Sequence, residues 1–322
     1  MSLAIGDYDH VRDLVTGVVQ PAGITLLASV LAPEEIFHRF LAFREWDVAE
    51  MSLGAYVALR SAGTPAFTAI PVFPSRAFRH GAIYVRAGGR VRSPEDLAGS
   101  RVGIVEWAQT AAVWVRGLLV EDFGLRLEDI RWFQSGIADP GRAEKVEVNL
   151  PPGVVVVPRP DASLDAMLAR GELDAVISAR PPQSLSSGEA VQLWPRAAEL
   201  ELAYWRRSRI FPIMHLVVIR TELLEHHPWV AANLLAAFTQ AKDHSLARLR
   251  SATTPLVPMP FLFERSREVM AEFGPDPWPY GLEANRITLD AFLGYAANQG
   301  LLTRPLRPDD LFVPGTMRAH RV

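Results

Sequence analysis

The 322-residue chain contains no cysteine. That absence excludes disulfides, thiolate zinc sites, iron–sulfur clusters and a cysteine nucleophile. No apolar run is long enough to span a bilayer, and Met1 to Tyr8 lack the basic region and apolar core of a secretion signal. No membrane partner is expected, and the expected location is the cytoplasm. Positive charge is short as well: a formal net charge of -3 provides no long-range field for phosphate backbones, so nucleic acid is not an expected partner. There is no glycine-rich dinucleotide or phosphate loop, no His-Glu-x-x-His and no Gly-x-Ser-x-Gly elbow. Any chemistry must proceed without those devices, and no cofactor is implied.

Apolar residues make up 49% of the chain and charged residues 21%, the balance of a globular protein that burial can hold together. Its length favours two packed lobes over one core. Short apolar runs alternate with helical patterns through the first two thirds, the rhythm of βαβ units and a mostly parallel sheet. Strands are expected at Leu3-Ala4-Ile5, Gly23 to Leu27, Asp47-Val48-Ala49, Arg101 to Val105, Val154 to Val157, Ala175-Val176-Ile177 and Leu216 to Ile219. Helices are expected from Pro33 to Arg44, from Thr110 to Val120 with Gly124 as a stop, and from Ser163 to Gly171. Beyond residue 219 the pattern changes to long helices, Pro228 to Leu249 and Asn285 to Gln299, and Pro255 to Pro260 reads as a loop.

This order predicts an α/β protein with a discontinuous lobe I (residues 1–85 and 217–322) around a lobe II (86–216), with a ligand cleft between them. The two crossings are expected near Ile83-Tyr84-Val85 and His215-Leu216-Val217. In parallel sheets a ligand binds beyond the carboxyl ends of the strands. The residues in those places are polar: Gly6-Asp7-Tyr8-Asp9-His10, Glu50-Met51-Ser52, Glu106-Trp107-Ala108-Gln109-Thr110 and Ser178-Ala179-Arg180. Any one of them serves equally well as a cap or turn former; their joint placement is what marks a cleft.

Arg76 and Arg79 precede the first crossing, and forked guanidinium groups suit a carboxylate pair, so a small dianionic ligand is the expected partner. Thr110 and Ala111 open a helix whose free N–H groups suit an anion. His80 and His215 lie beside the two crossings, where imidazole could move a proton near neutral pH. Trp107 could wall a planar ligand. Asp7, Asp9, His10 and Glu50 are conceivable ligands for a divalent metal, although no motif indicates one.

Taken in order, Gly6-Asp7-Tyr8-Asp9, Asp47 to Ser52, Pro71-Val72-Phe73 with Arg76 and Phe78-Arg79-His80 carry a resemblance. It continues through Trp114-Val115-Arg116-Gly117, Gly171 to Ala175, Phe211 to His215, His227-Pro228-Trp229 and Trp278 to Leu282. Over nearly its whole length the chain resembles the 4,5-dihydroxyphthalate decarboxylases. The resemblance implies a type 2 periplasmic-binding-protein-like fold with a helical C-terminal part. It also implies a non-oxidative decarboxylase of an aromatic dicarboxylate, giving protocatechuate and carbon dioxide. Under it, Arg76 and Arg79 would hold the retained carboxylate and His80 or His215 would donate a proton. Glu50 would act on the hydroxyl or orient a histidine, and Ser52, Thr110, Ala111, Arg180 and Trp107 would complete the pocket. The competing readings are a solute-binding protein for a small carboxylate, and a same-fold enzyme with another substrate.

Overall fold

A computed structural model describes residues 1–63, 66–254 and 256–316. Pro255, in the expected proline-rich loop, and the last six residues of the expected lobe I lie outside them.

The described residues build two sheets. The first contains β1 (Ser2–Ile5), β2 (Leu27–Val30), β3 (Val48–Ser52), β4 (Phe67–Ile70) and the late strand β11 (His215–Arg220), in the order β2-β1-β3-β11-β4. The second contains β5 (Ile83–Arg86), β6 (Arg101–Ile104), β7 (Arg131–Gln134), β8 (Val156–Pro158), β9 (Ala175–Ile177) and β10 (Ala190–Gln192), in the order β10-β5-β9-β6-β7-β8. Within each sheet the strands that alternate with helices run parallel. The exceptions are those that begin or end an excursion: β11 lies antiparallel between β3 and β4, and β5 lies antiparallel to β9 and β10.

Several expected elements sit where periodicity put them. The helix Pro33–Phe43 starts on its proline and closes on Arg44 in the left-handed region, and the helix Thr110–Phe123 stops at Gly124. Others move. The strand expected at Gly23 to Leu27 begins only at Leu27, because Gly23 has a φ of 71° and completes a turn after Pro21. Glu50 lies inside β3, which continues to Ser52. The helix Leu53–Ser61 follows at once; buried on nearly every side, it has no polar stripe for a periodicity argument to find.

The crossings run just upstream of the segments expected. Ile83–Val85 and His215–Val217 are already strands, and apart from His215 their residues are apolar because they are buried in sheet interiors. The connecting chains instead pair with each other, with Arg76 opposite Ile213, and Ala77 N–H bonds to Pro212 O while Met214 N–H bonds to Ser75 O. Two short antiparallel segments side by side form the natural hinge between two sheets.

The C-terminal helix Arg286–Asn298 packs against Thr110–Phe123. Its Tyr295 lies so close to Gly117 that a Cβ there would stand 2.2 Å from the ring, so only glycine fits. Trp114 packs on Phe292 and Tyr295, and Asn149 N–H bonds to Gly300 O, which ties the tail to the half of the molecule built on the second sheet.

Candidate active site

Strand pairing creates the central feature. In the antiparallel pair of β3 and β11, His215 stands opposite Ser52, and Glu50, two residues back along β3, projects from the same face as its diagonal neighbour. The result is a contact of 2.6 Å between His215 Nδ1 and Glu50 Oε1. Glu50 is fully buried, and its other oxygen accepts Gly6 N–H at 2.8 Å from the end of the neighbouring β1. Tyr8 OH donates to Oε1 at 2.7 Å. Burial and the adjacent carboxylate push the Tyr8 phenol well above its ordinary pKa, so it stays a donor. Three donors around one carboxylate fix the histidine tautomer: Nδ1 carries hydrogen toward Glu50. Nε2, which has no protein hydrogen bond among the described residues, is left for the cleft. Phe37 packs its ring edge against the imidazole at 4.9 Å between centroids and holds its plane.

His215 opens onto a cavity of about 280 Å³ between the two sheets, large enough for a substituted single ring. Across from it the helix Thr110–Phe123 begins. Thr110 and Ala111 line the cavity, and the first N–H groups of that helix have no acceptor within it. Ser52 Oγ and Thr110 Oγ1 meet at 3.0 Å, and Gly54 N–H donates to Thr110 Oγ1 at 2.9 Å, so the two halves touch at the floor of the cleft. Arg79 reaches the same cavity from the hinge. Its Nε–H points at Met214 Sδ at 3.1 Å, and it forms no ion pair among the described residues. Burial lowers its proton affinity, and an anionic ligand would relieve that cost.

Three residues expected in the cleft are elsewhere. Arg76 is buried in the hinge, where its guanidinium donates to the carbonyls of Phe211 at 3.2 Å and Pro279 at 2.7 Å and to Asn285 Oδ1. It also stacks on Phe73 and Phe211, and burial pulls its pKa down to about 9. It clamps the crossing segments. His80 is buried between Trp194 and Tyr204, and burial lowers its pKa to about 4, so it is a neutral core ring. Trp107 is 1% exposed, donates through Nε1 to Gln299 O and carries Arg116 over its face at 3.8 Å; it supports the cleft from behind. Arg180 does line the cavity, but at the mouth, where it pairs with Glu34 of the opposite half at 2.7 Å.

The conceivable metal ligands do not assemble. Asp9 is engaged by Ser245 and Arg248, Asp7 is exposed, and His10 packs between Tyr8 and Trp278. Among the described residues no three His, Asp or Glu side chains converge on one point.

Sequence reasoning assigned no role to several contributors. Tyr8 sat in a stretch already marked as following a strand, and its aromatic ring beside two acids was the available signal. Arg142 and Lys145 come from an irregular segment without periodicity, which gave no signal at all.

No family model matches the chain. The chain is 38% identical over 325 residues to a 4,5-dihydroxyphthalate decarboxylase of Comamonas testosteroni, an alignment that covers 100% of this chain and 98% of that protein. Among solved structures, the periplasmic aliphatic sulphonate binding protein SsuA of Escherichia coli aligns over 98% of both chains with a TM-score of 0.53 at 14% identity. The desulfurization enzyme DSZB aligns over 98% of this chain and 97% of its own, also with a TM-score of 0.53, at 16% identity. The structural likenesses establish a periplasmic-binding-protein-like fold, two α/β halves around a cleft. At that level of sequence identity over its full length, the chain belongs to the 4,5-dihydroxyphthalate decarboxylase family.

Proposed function

We propose that this protein is a cofactor-independent decarboxylase that converts an aromatic dicarboxylate such as 4,5-dihydroxyphthalate to protocatechuate and carbon dioxide. The observation that carries the reading is the Glu50–His215 pair, with Nδ1 held at 2.6 Å and Nε2 turned to the cavity. Each carboxylate of this substrate is para to a ring hydroxyl. When that hydroxyl is ionised, electron density rises at the carbon bearing the departing carboxylate. His215 Nε2–H then protonates that carbon, the carbon–carbon bond breaks, and its electron pair restores the aromatic ring. The electrons end where they began, so neither oxidant nor flavin is required.

Glu50 orients His215 and stabilises its cation; with both oxygens engaged it is a positioning group. Arg79, tied to Met214 beside His215, holds the retained carboxylate next to the reacting carbon, and the helix start at Thr110 and Ala111 adds backbone donors. Arg180 guards the entrance.

A receptor that only closed on a carboxylate would use the same arginine. It would have no use for a fully buried carboxylate behind a cleft-facing histidine, since burying that charge is costly. The test is incubation with phthalates while carbon dioxide release is followed, with and without a divalent metal and a chelator. Stoichiometric gas and protocatechuate support the reading. Saturable binding without gas overturns it in favour of a receptor.

A further inference from the structure

Ionising the ring hydroxyl requires a proton acceptor and a cation at the end of the ring remote from His215. Glu50 cannot serve, because Gly6, Tyr8 and His215 occupy both its oxygens. Arg79 is held on the acid's side of the cleft through Met214.

The charges lining the cavity point to the opposite wall. Four cationic side chains, Arg79, Arg142, Lys145 and Arg180, face it with two carboxylates, Glu34 and Glu106. Arg180 and Glu34 neutralise each other at the mouth. Glu106, two residues beyond β6, is shared: its Oε1 accepts from Arg142 Nε at 2.6 Å and forms an ion pair with Lys145 Nζ at 3.2 Å. This carboxylate is 9% exposed, and among the described residues its side-chain hydrogen bond is made by Oε1, none by Oε2. Two cations thus serve one carboxylate, and Glu106 lines the cavity from the half that does not carry His215. The segment supplying Arg142 and Lys145 is held down on both sides. Ser135 N–H bonds to Ile104 O, Asn149 N–H bonds to Gly300 O, and Glu144 accepts the N–H groups of Trp107 and Ala108.

We infer that Glu106, Arg142 and Lys145 form a station for the diol end of the substrate ring, with Glu106 as the base and the two cations holding the resulting catecholate oxygen. The inference rests on the decarboxylase reading and completes it. The retained carboxylate is ortho to the reacting carbon and stays with Arg79, while the hydroxyls lie across the ring at the second wall. The proton of the para hydroxyl passes to Glu106 Oε2. His215 delivers a proton to the ring carbon, giving a dienone, and loss of carbon dioxide returns the electron pair to the ring as phenolate. Glu106 then gives its proton back. One proton is consumed per turnover, and solvent restores it to His215.

A phenol ionises near pH ~10 in water, so a catecholate bound at pH 7 is a distinct signature, seen as a red shift in the ligand's ultraviolet absorption. The experiment uses the full chain with 4,5-dihydroxyphthalate and, as a ring without hydroxyls, phthalate. Wild type is expected to red-shift the first ligand. Glu106→Gln and Lys145→Met are expected to lose that shift and to bind the diol about tenfold or more weakly, with phthalate affinity changed less than about threefold. Arg142→Met serves as a second cation variant, and thermal melts establish that each variant is folded. Equal weakening toward both ligands would mean that the cluster grips a carboxylate, and an intact red shift in the variants would place the base elsewhere; either result overturns the station. A red shift in wild type without turnover would sink the decarboxylase reading and leave the station standing. Turnover in wild type with kcat unchanged in both Glu106→Gln and Lys145→Met would do the reverse.

Discussion

Ser52 Oγ and Thr110 Oγ1 stand 3.0 Å apart, one at the end of a strand in the first sheet and the other at the start of a helix beside the second. This hydroxyl pair and the neighbouring Gly54 N–H form a polar joint between the halves at the cleft floor. A Cβ on Gly54 would stand 2.2 Å from Ala108 O, a backbone atom that cannot turn aside. Gly54→Ala is therefore expected to wedge the halves apart. Turnover should fall at least tenfold while circular dichroism keeps its wild-type form; unchanged turnover would show that the joint can slide.

Replacing Glu50 with Gln keeps the shape but offers one acceptor oxygen to three donors. The leftover donors cost about 1–3 kcal/mol of stability, and loss of histidine orientation should lower kcat about a hundredfold or more. His215→Asn should lower kcat similarly. Combining Glu50→Gln with His215→Asn should cost little more than either alone, since the two act as one unit; full additivity of their effects on kcat would separate them.

Arg79 is expected to act mainly on binding. Arg79→Met removes a charge-assisted contact worth about 1.5–3 kcal/mol, so KM should rise roughly tenfold to a hundredfold with the melting temperature little changed. Arg79→Lys should recover part of the loss, because a point charge replaces a fork. A KM equal to wild type in Arg79→Met would remove this residue from the site.

At the mouth the Glu34–Arg180 pair is exposed on both sides, 41% and 65%, and such pairs contribute at most about 1 kcal/mol. Glu34→Gln should leave the melting temperature unchanged and lower KM for a dianionic ligand a fewfold, because Arg180 is released to the incoming carboxylate. A rise in KM would mean that the pair holds the cleft closed rather than competing with the ligand.

His80 and His10 are each held near a pKa of about 4 by burial, below the 6.5 of the free side chain. Between pH 6.5 and 4 the unfolded chain therefore binds more protons than the folded one, and stability falls as pH falls through that window. His80→Phe should flatten part of that loss, read as a shallower drop in melting temperature. An unaltered slope would show that His80 titrates normally in the fold.

The helices that the sequence revealed were those with one apolar face and clear ends, such as Pro33–Phe43 between its proline and Arg44. Leu53–Ser61 escaped because a helix buried all round has no contrast between faces. Among functional residues, the rule that ligands lie beyond strand ends pointed to Tyr8, Glu50, Ser52, Glu106, Thr110 and Arg180, all now at or around one cavity. The pairing of Arg79 with Arg76 failed. Residues three apart around a hinge point in different directions, and only Arg79 turns inward. Trp107 misled for a related reason: its neighbours line the cleft, but its own ring faces the core.

The sequence by itself determined the alternation of strand and helix, the polar residues at strand ends and the membership of this family, because these follow from local periodicity and from the order of short motifs. The tertiary structure alone decided which of two histidines faces the cleft, which arginine is free, and that an irregular segment brings Arg142 and Lys145 to Glu106. Those outcomes depend on pairing register and on contacts between residues tens of positions apart, and a one-residue change of register turns a side chain from one face of a sheet to the other.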